Sequence, residues 1–499
     1  MALPIATHSA STGLRVLESD SGCRDCSCGT NSALDQRVQA LREELSGRVR
    51  IATEGCSKRR HSGPEEVPML KKVELKQDRP LPLAHPLSRH EIDGKYMWVA
   101  VERAGLVVLN ERDDRFLRLL SEGQSPATVA AQSDEGWPPL LKLLGRLGSN
   151  GLIQGMRGHI EQRPNSPRVQ ARFHLTQACQ LECIHCYANS SPFIDRTGEL
   201  TLERWQRLVD DFARHGGQRL LFSGGEALMY RGCTDLMRQA SEAGLTLTLL
   251  TNGILVPRYL EEIHETVSEV QVSLDGPTAE ANDRIRGKGT YPRILKAIDL
   301  LVARGTMTRI GMSVMAANWE DWKEGFLEFT SRYQGVENIE FYLSGGITSW
   351  GRGASIEDVD GEETGPLVRD LLDRANPDRG PKITRFAAGC GYFEQLVVDP
   401  WGKVHPCHLL DGAAAHIDDF PYEELIRILE ESRDLFSVDH IEGCKDCDIR
   451  YLCGGSCRVM NGKDEGTRLV TNCTPADYQR RLNNLVNGWY GENAMPEVV

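Results

Sequence analysis

The sequence lacks any apolar run of the length needed to cross a bilayer. Its first residues, MALPIATHSASTGL, lack the basic segment followed by an apolar stretch that marks a secretory signal. Positive charge is also in deficit: 71 acidic residues against 58 basic ones leave a net charge of −13, which argues against broad nucleic-acid binding. A cytoplasmic protein with neither a membrane nor a nucleic-acid partner is expected, in a compartment where thiols stay reduced. Against those absences cysteine is plentiful, at fifteen residues. Their clustering points to metal ligation rather than to disulfides or scattered buried thiols. A chain of 499 residues with 40% hydrophobic content exceeds one ordinary core, and roughly two to four domains follow.

Residues 1–85 are rich in Ser, Gly, Pro and charge, and a poorly ordered extension is expected there, with one amphipathic helix over Leu34–Leu45. This stretch also holds CRDCSC, with Cys23, Cys26 and Cys28. Residues 90–156 change character. KYMWVAVE and GLVVLN read as a hairpin turning at Arg103–Gly105, and three helices follow: ERDDRFLRLLSEG, a short one from Ser125-Pro126, and PPLLKLLGRLGSNGLI. A winged-helix-like domain is the expected result. Residues 165–355 alternate six apolar strand signals (VQARFHL, RLLFSG, LTLLTNG, EVQVSLDG, TRIGMSVM, IEFYL) with amphipathic helices. The fold class is therefore α/β, a partial barrel of six β/α units whose ligands bind at the carboxyl ends of the strands. Residues 385–480 form a cysteine-rich C-terminal domain.

The first barrel strand runs into CQLECIHCY, placing Cys179, Cys183 and Cys186 in a C-x3-C-x2-C loop at a carboxyl end. Three thiolates leave one position of a metal centre open, and an open position suggests chemistry. The bland alternative is a zinc site, which needs a fourth ligand; His185 is the nearest candidate. After strand two comes LLFSGGEAL, with Gly224, Gly225 and Glu226: glycine allows close backbone approach, and the acid can accept from an ammonium. Asn252 ends strand three, and Ser273 and Asp275 end strand four. NDRIRGKGTY then offers Arg284 and Arg286 for a carboxylate, unless both are solvated surface residues.

These motifs resemble the radical S-adenosylmethionine (SAM) superfamily. The resemblance implies that Cys179, Cys183 and Cys186 hold a [4Fe–4S] cluster whose fourth iron binds SAM, with Tyr187, Gly224, Gly225, Glu226, Asn252, Ser273 and Asp275 around the cofactor. It further implies an oxidoreductase in which one electron, supplied by an external donor such as flavodoxin or ferredoxin, cleaves SAM to methionine and a 5′-deoxyadenosyl radical that abstracts hydrogen from the substrate. No single protein residue stands out as catalytic.

Further on, Cys390, Cys407, Cys444, Cys447, Cys453, Cys457 and Cys473 occur in an order that resembles the SPASM domain. A zinc ribbon built on two C-x2-C pairs fails, because this segment has only one. By the resemblance Cys444, Cys447, Cys453 and Cys473 ligate one auxiliary Fe–S cluster, and Cys390, Cys407 and Cys457 another. No cysteine stands five residues after Cys390, so the latter is expected to have an open or non-cysteine ligand. Cys23, Cys26, Cys28, Cys56 and Cys233 stay unassigned, the last as a helical core thiol. Residues 90–156 resemble the PqqD-like recognition element of ribosomal-peptide modifying systems, which implies a leader peptide added to the edge of the 96–109 hairpin, with the groove formed by the last helix. Together these imply a peptide maturase forming a crosslink or thioether. The alternatives are a sulfatase-type formylglycine maturase, a tetrapyrrole- or small-molecule-tailoring enzyme and, from another class, a non-catalytic Fe–S peptide-binding scaffold.

Overall fold

The computed structural model describes residues 76–155, 166–345, 351–356, 361–375, 389–410, 412–455, 457–461, 469–471 and 473–492. The helix expected over Leu34–Leu45 and the cysteines at 23, 26, 28 and 56 lie outside the described residues. No helix among the described residues is long and apolar enough to cross a membrane.

The N-terminal sheet has three strands rather than the two of the expected hairpin, and the short strand expected to close the last helix is a single bridge at Ile153. β1 (Leu87–Ile92), β2 (Lys95–Ala100) and β3 (Gly105–Leu109) form an antiparallel sheet in that order. Strands β1 and β2 are joined by Asp93-Gly94, both at positive φ, the backbone of a two-residue hairpin turn. Three helices follow: α1 (Glu111–Ser121), α2 (Pro126–Ala131) and α3 (Trp137–Ser149). Asn110 and Ser125 cap the first two by accepting from the backbone N–H groups of Asp113 and Thr128. Residues 76–85, grouped above with the polar extension, belong to this unit. Leu81, Leu83 and Ala84 are buried in its core, and Leu83 bridges to Ile153.

The barrel is built from β4 (Gln170–His174), α4 (Leu202–Arg214), β5 (Arg219–Ser223), α5 (Cys233–Glu242), β6 (Thr246–Thr251), α6 (Leu260–Thr266), β7 (Glu269–Ser273), α7 (Ala279–Arg286), α8 (Tyr291–Arg304), β8 (Thr308–Val314), α9 (Trp319–Ser331) and β9 (Ile339–Gly345). All six strands are parallel and paired in sequence order. Alternate residues face the helices: Phe173 packs against Trp205, Phe212 and Phe222, which sends Arg172 and His174 to the opposite, inner face. Cys233 is buried at the start of α5, as a core thiol.

The C-terminal segment comprises α10 (Gly361–Ala375), β10 (Leu396–Val398), β11 (Lys403–His405), β12 (Ala415–His416), α11 (Tyr422–Leu435), α12 (Arg450–Cys453), α13 (Arg458–Asn461) and α14 (Pro475–Glu492). Its strands are no separate sheet. β10 pairs parallel to β4, and β11 and β12 follow antiparallel, so the barrel sheet grows to nine strands. The segment also joins the N-terminal unit: Ile449, Leu452, Leu482, Leu485 and Val486 are buried in that unit's core. At roughly 1.5–3 kcal/mol for each fully buried side chain, this contact outweighs the polar ones beside it. Those include His90–Asp448 at 2.9 Å and Arg450–Glu102 at 2.5 Å.

Candidate metal and cofactor site

The cysteine loop leaves the carboxyl end of β4 and is fastened by backbone from two sides. From the β5 side, the N–H groups of Gly225 and Glu226 donate to the carbonyls of Thr176 and Ala178, each at 2.8 Å. A Cβ on Gly224 would stand 2.3 Å from the Thr176 carbonyl oxygen, and one on Gly225 the same distance from that of Ala178, so only glycine fits. From the β9 side, Arg352 donates through its backbone N–H to Cys186 O (3.0 Å), through Nε to Cys183 O (2.9 Å) and through Nη2 to Ser190 O (2.8 Å). Arg352 escaped the sequence reading; its only signal is a lone arginine in the stretch GRG.

The thiols themselves are left for other partners. Cys179 is buried, while Cys183 and Cys186 are half-buried. The backbone N–H of Leu181 points at Cys179 Sγ (3.4 Å), as does Asn252 Nδ2 (3.6 Å). Burial pushes the Cys179 thiol up to about 12 against the pull of the Leu181 N–H. Burial also raises Cys183, with Arg286 opposing. A bound cation would offset that burial for the thiolates of Cys179 and Cys183, and the donor set suits iron. Among the described residues no group of three or more His, Cys, Asp or Glu is already closed into a metal-holding arrangement.

The acids around the loop are committed to the protein. Glu226 is fully buried and accepts from Thr251 Oγ1 (2.8 Å), Asn252 N (2.8 Å) and Leu228 N (3.2 Å), tying the ends of β5 and β6 together. Burial raises its carboxyl, and these bonds pull the other way. Asp275, also fully buried, accepts from Ser313 N at 2.9 Å. Its Oδ2 lies 2.7 Å from Arg286 Nε and 3.2 Å from His185 Nε2. The two arginines of NDRIRG thus part ways. Arg286 is buried beside the cysteine loop, whereas Arg284 is a surface residue bonded to Asp321 and to the Ala317 carbonyl. His185, weighed above as a zinc ligand, turns Nε2 toward Asp275 and keeps a buried Nδ1 without a partner. Ser273 ends β7 half-buried, and Tyr187 bonds to the Ser223 side chain between the loop and Cys407.

The C-terminal cysteines fall into two neighbourhoods. Cys390 lies in side-chain contact with Cys457 and receives the Arg458 N–H at 3.4 Å; the contact with Cys457 and then burial raise its thiol. Cys407 is buried near Tyr187 and Arg172. Cys444, Cys447, Cys453 and Cys473 lie near one another, and burial pushes Cys447 up to about 11.

Residues 173–326, from β4 into α9, match the family model described as the radical SAM superfamily. The α/β barrel is a radical SAM domain, the protein is an enzyme of radical SAM type, and its cofactors are a [4Fe–4S] cluster and SAM. Among curated proteins, the chain is 28% identical over 329 residues to the AdoMet-dependent heme synthase of Methanosarcina barkeri, spanning 59% of this chain and 92% of that one. It is 28% identical over 254 residues to the antilisterial bacteriocin subtilosin biosynthesis protein AlbA of Bacillus subtilis, spanning 48% of this chain and 55% of that one. Among solved structures, Streptococcus suis SuiB bound to S-adenosylmethionine superposes with a TM-score of 0.49 at 15% identity, covering 78% of this chain and 98% of that one.

Proposed function

We propose that the protein is a peptide maturase that introduces a crosslink or thioether into a ribosomally made precursor, and that residues 76–155 act as a PqqD-like unit gripping the precursor's leader. The observation that carries this reading is the placement of the three-stranded sheet. Among the described residues its outer strand β3 pairs with β2 alone, while the core of the unit takes in Ile449 and Leu452, on either side of Arg450 between Cys447 and Cys453. An extended leader added along β3 would hold its core peptide on the side of the molecule that carries the C-terminal cysteines. There it would compete with Arg146 of α3, whose Nη2 donates to the Val108 carbonyl at 2.7 Å. Similarity to a subtilosin biosynthesis protein supports the peptide reading.

Cys179, Cys183 and Cys186 of the β4 loop would hold the cluster, which with SAM would supply one-electron chemistry for hydrogen abstraction from the substrate. The chain's own residues prepare that site. Arg352 and the Gly224-Gly225 backbone fix the loop, Asn252 and the Leu181 N–H favour thiolate at Cys179, and Asp275 holds Arg286 against the loop and engages the loop's own His185. Cys390, Cys407 and Cys457 on one side, and Cys444, Cys447, Cys453 and Cys473 on the other, are the proposed ligands of two auxiliary clusters. Flavodoxin or ferredoxin is the proposed electron donor, and the cytoplasm the proposed compartment.

A second reading, tailoring of a tetrapyrrole, is favoured by the similarity to a heme synthase across 92% of that protein. One experiment separates the two. Hydrogen–deuterium exchange is followed on the reconstituted enzyme with a peptide encoded beside the gene, and with an iron porphyrin. The peptide reading expects protection of the Gly105–Leu109 amides by the peptide, together with loss of hydrogen mass from it on turnover with SAM. Turnover of the porphyrin with the peptide unchanged and the β3 amides unprotected would put the tetrapyrrole reading in its place.

A further inference from the structure

Strand β4 is the seam of the sheet, with β5 on one side and β10 on the other. Its inner face carries Arg172 and His174, two residues apart. The register Arg172↔Val397↔His405 runs straight across β4, β10 and β11, so Arg172 and His405 share that face. His405 is fully engaged: Nε2 meets Asp399 Oδ2 and Nδ1 meets the Gly412 carbonyl, both at 3.1 Å. Arg172 and His174 are not. Arg172 Nε is buried without a hydrogen-bond partner, and both ring nitrogens of the fully buried His174 are in the same position. Buried charge is ordinarily paired, because desolvation otherwise costs several kcal/mol. Among the described residues no carboxylate partners Arg172. The acidic groups acting on its guanidinium are the Tyr187 phenol and the Cys407 thiol. Two unpartnered donors, one permanently cationic, thus sit in the same interior region as a cysteine.

An anion there would satisfy both. A thiolate-ligated iron–sulfur cluster is such an anion, and its potential is set by net charge, by hydrogen bonds to its sulfurs and by exposure. We propose that Arg172, with His174 beside it, is a positioning residue for an iron–sulfur cluster held through Cys407: it places positive charge against the cluster, stabilises its reduced state and so raises its reduction potential. This rests on the reading of Cys407 as a cluster ligand. A cluster poised in this way takes up an electron more readily than the same cluster facing an apolar wall, since an added negative charge is stabilised by a fixed cation at short range.

The test is an EPR-monitored redox titration of the full-length, anaerobically reconstituted enzyme. The signal of interest is the one lost in Cys407→Ala and kept in Cys444→Ala. Arg172→Gln is expected to disfavour reduction of that cluster at least tenfold, a downward shift of about 59 mV for one electron. Arg172→Lys, which keeps the charge, is expected to retain most of the wild-type potential, and the cluster lost in Cys444→Ala is expected not to move in either variant. An unchanged midpoint in Arg172→Gln with full iron content overturns the proposal and leaves the ligand reading standing. Undiminished iron and an intact set of signals in Cys407→Ala overturn the ligand reading itself. A normal midpoint accompanied by weakened SAM binding would assign Arg172 to the cofactor's carboxylate and also overturn the proposal. If Arg172→Gln fails to assemble, wild-type enzyme carrying guanidino-15N arginine decides: a 15N coupling to the reduced Cys407-dependent cluster supports the proposal, and its absence overturns it.

Discussion

The cysteine loop after β4 and the cysteines of the C-terminal segment hold their thiols in contrasting ways. The loop is a product of the sheet. Parallel strands deliver it, two glycines let β5 backbone lie against it, and Arg352 takes hold of its carbonyls. A large core stands beneath it. The thiols of Cys444, Cys447, Cys453 and Cys473 sit on loops and on a helix as short as Arg450–Cys453, with Cys473 exposed. Among the described residues, the apolar cluster private to these cysteines buries Val438, Ile441 and Cys444, with Tyr451 and Leu469 packed against it. Small units without a core depend on bound metal for folding energy. The β4 loop is thus organised by the protein's own backbone, whereas the proposed auxiliary-cluster site at Cys444, Cys447, Cys453 and Cys473 is expected to lean on bound metal and on docking to the N-terminal unit.

The sharpest way to break this contrast is to remove ligands from each region. Cys444→Ala with Cys447→Ala is expected to lose iron and to expose the amides around residues 438–455 to hydrogen exchange, while β4–β8 keep their protection. Cys179→Ala with Cys183→Ala and Cys186→Ala is expected to lose iron without any comparable local unfolding. Equal loss of protection in both variants would erase the distinction.

The next effect concerns Asp275. Replacing it with Ala leaves Arg286 buried and unpaired beside the cysteine loop, and removal of one partner from such a pair costs roughly 3–5 kcal/mol. A denaturant midpoint lowered to match is expected, whereas Arg284→Ala, on the same helix but exposed, changes it little. A smaller contrast separates apolar from polar docking of the N-terminal unit. Leu452→Ala is expected to cost about 2–5 kcal/mol, and Glu102→Ala under about 1 kcal/mol, as for exposed ion pairs. The His90–Asp448 contact adds a pH signature. Burial pushes the Asp448 carboxyl up, but bonds from His90 and Tyr478 outweigh it and hold the group at about 2. Its contribution is complete above the ordinary carboxylate range, near pH 4, and disappears as pH falls through 2. Asp448→Asn is therefore expected to remove part of the difference in docking between pH 5 and pH 2.5, read by exchange at β1.

Much of the barrel was legible because its signals are local and repeated. Alternating buried positions such as Ala171 and Phe173, helix stripes such as Trp205, Leu208, Val209 and Phe212, and cysteines following a strand end all lie within short windows. What escaped was non-local. The three residues of β10 carry no distinctive pattern and become a strand only by pairing with β4, more than two hundred residues earlier. Arg284 and Arg286 cannot be told apart by type; the facing of α7 buries one and exposes the other. Arg352 acts through carbonyls of a loop far from it in sequence. One miss was avoidable: the Asp93-Gly94 turn that creates β1 is a strong hairpin signal.

Formation of 5′-deoxyadenosine by the reconstituted, chemically reduced enzyme tests most directly the claim that the β4 loop alone is the preformed SAM site. Wild-type protein and the Cys444→Ala, Cys447→Ala variant are both expected to release it from SAM, and the Cys179→Ala, Cys183→Ala, Cys186→Ala variant none. Release by that triple variant, or its loss in the C-terminal variant while barrel amides stay protected, would contradict the claim.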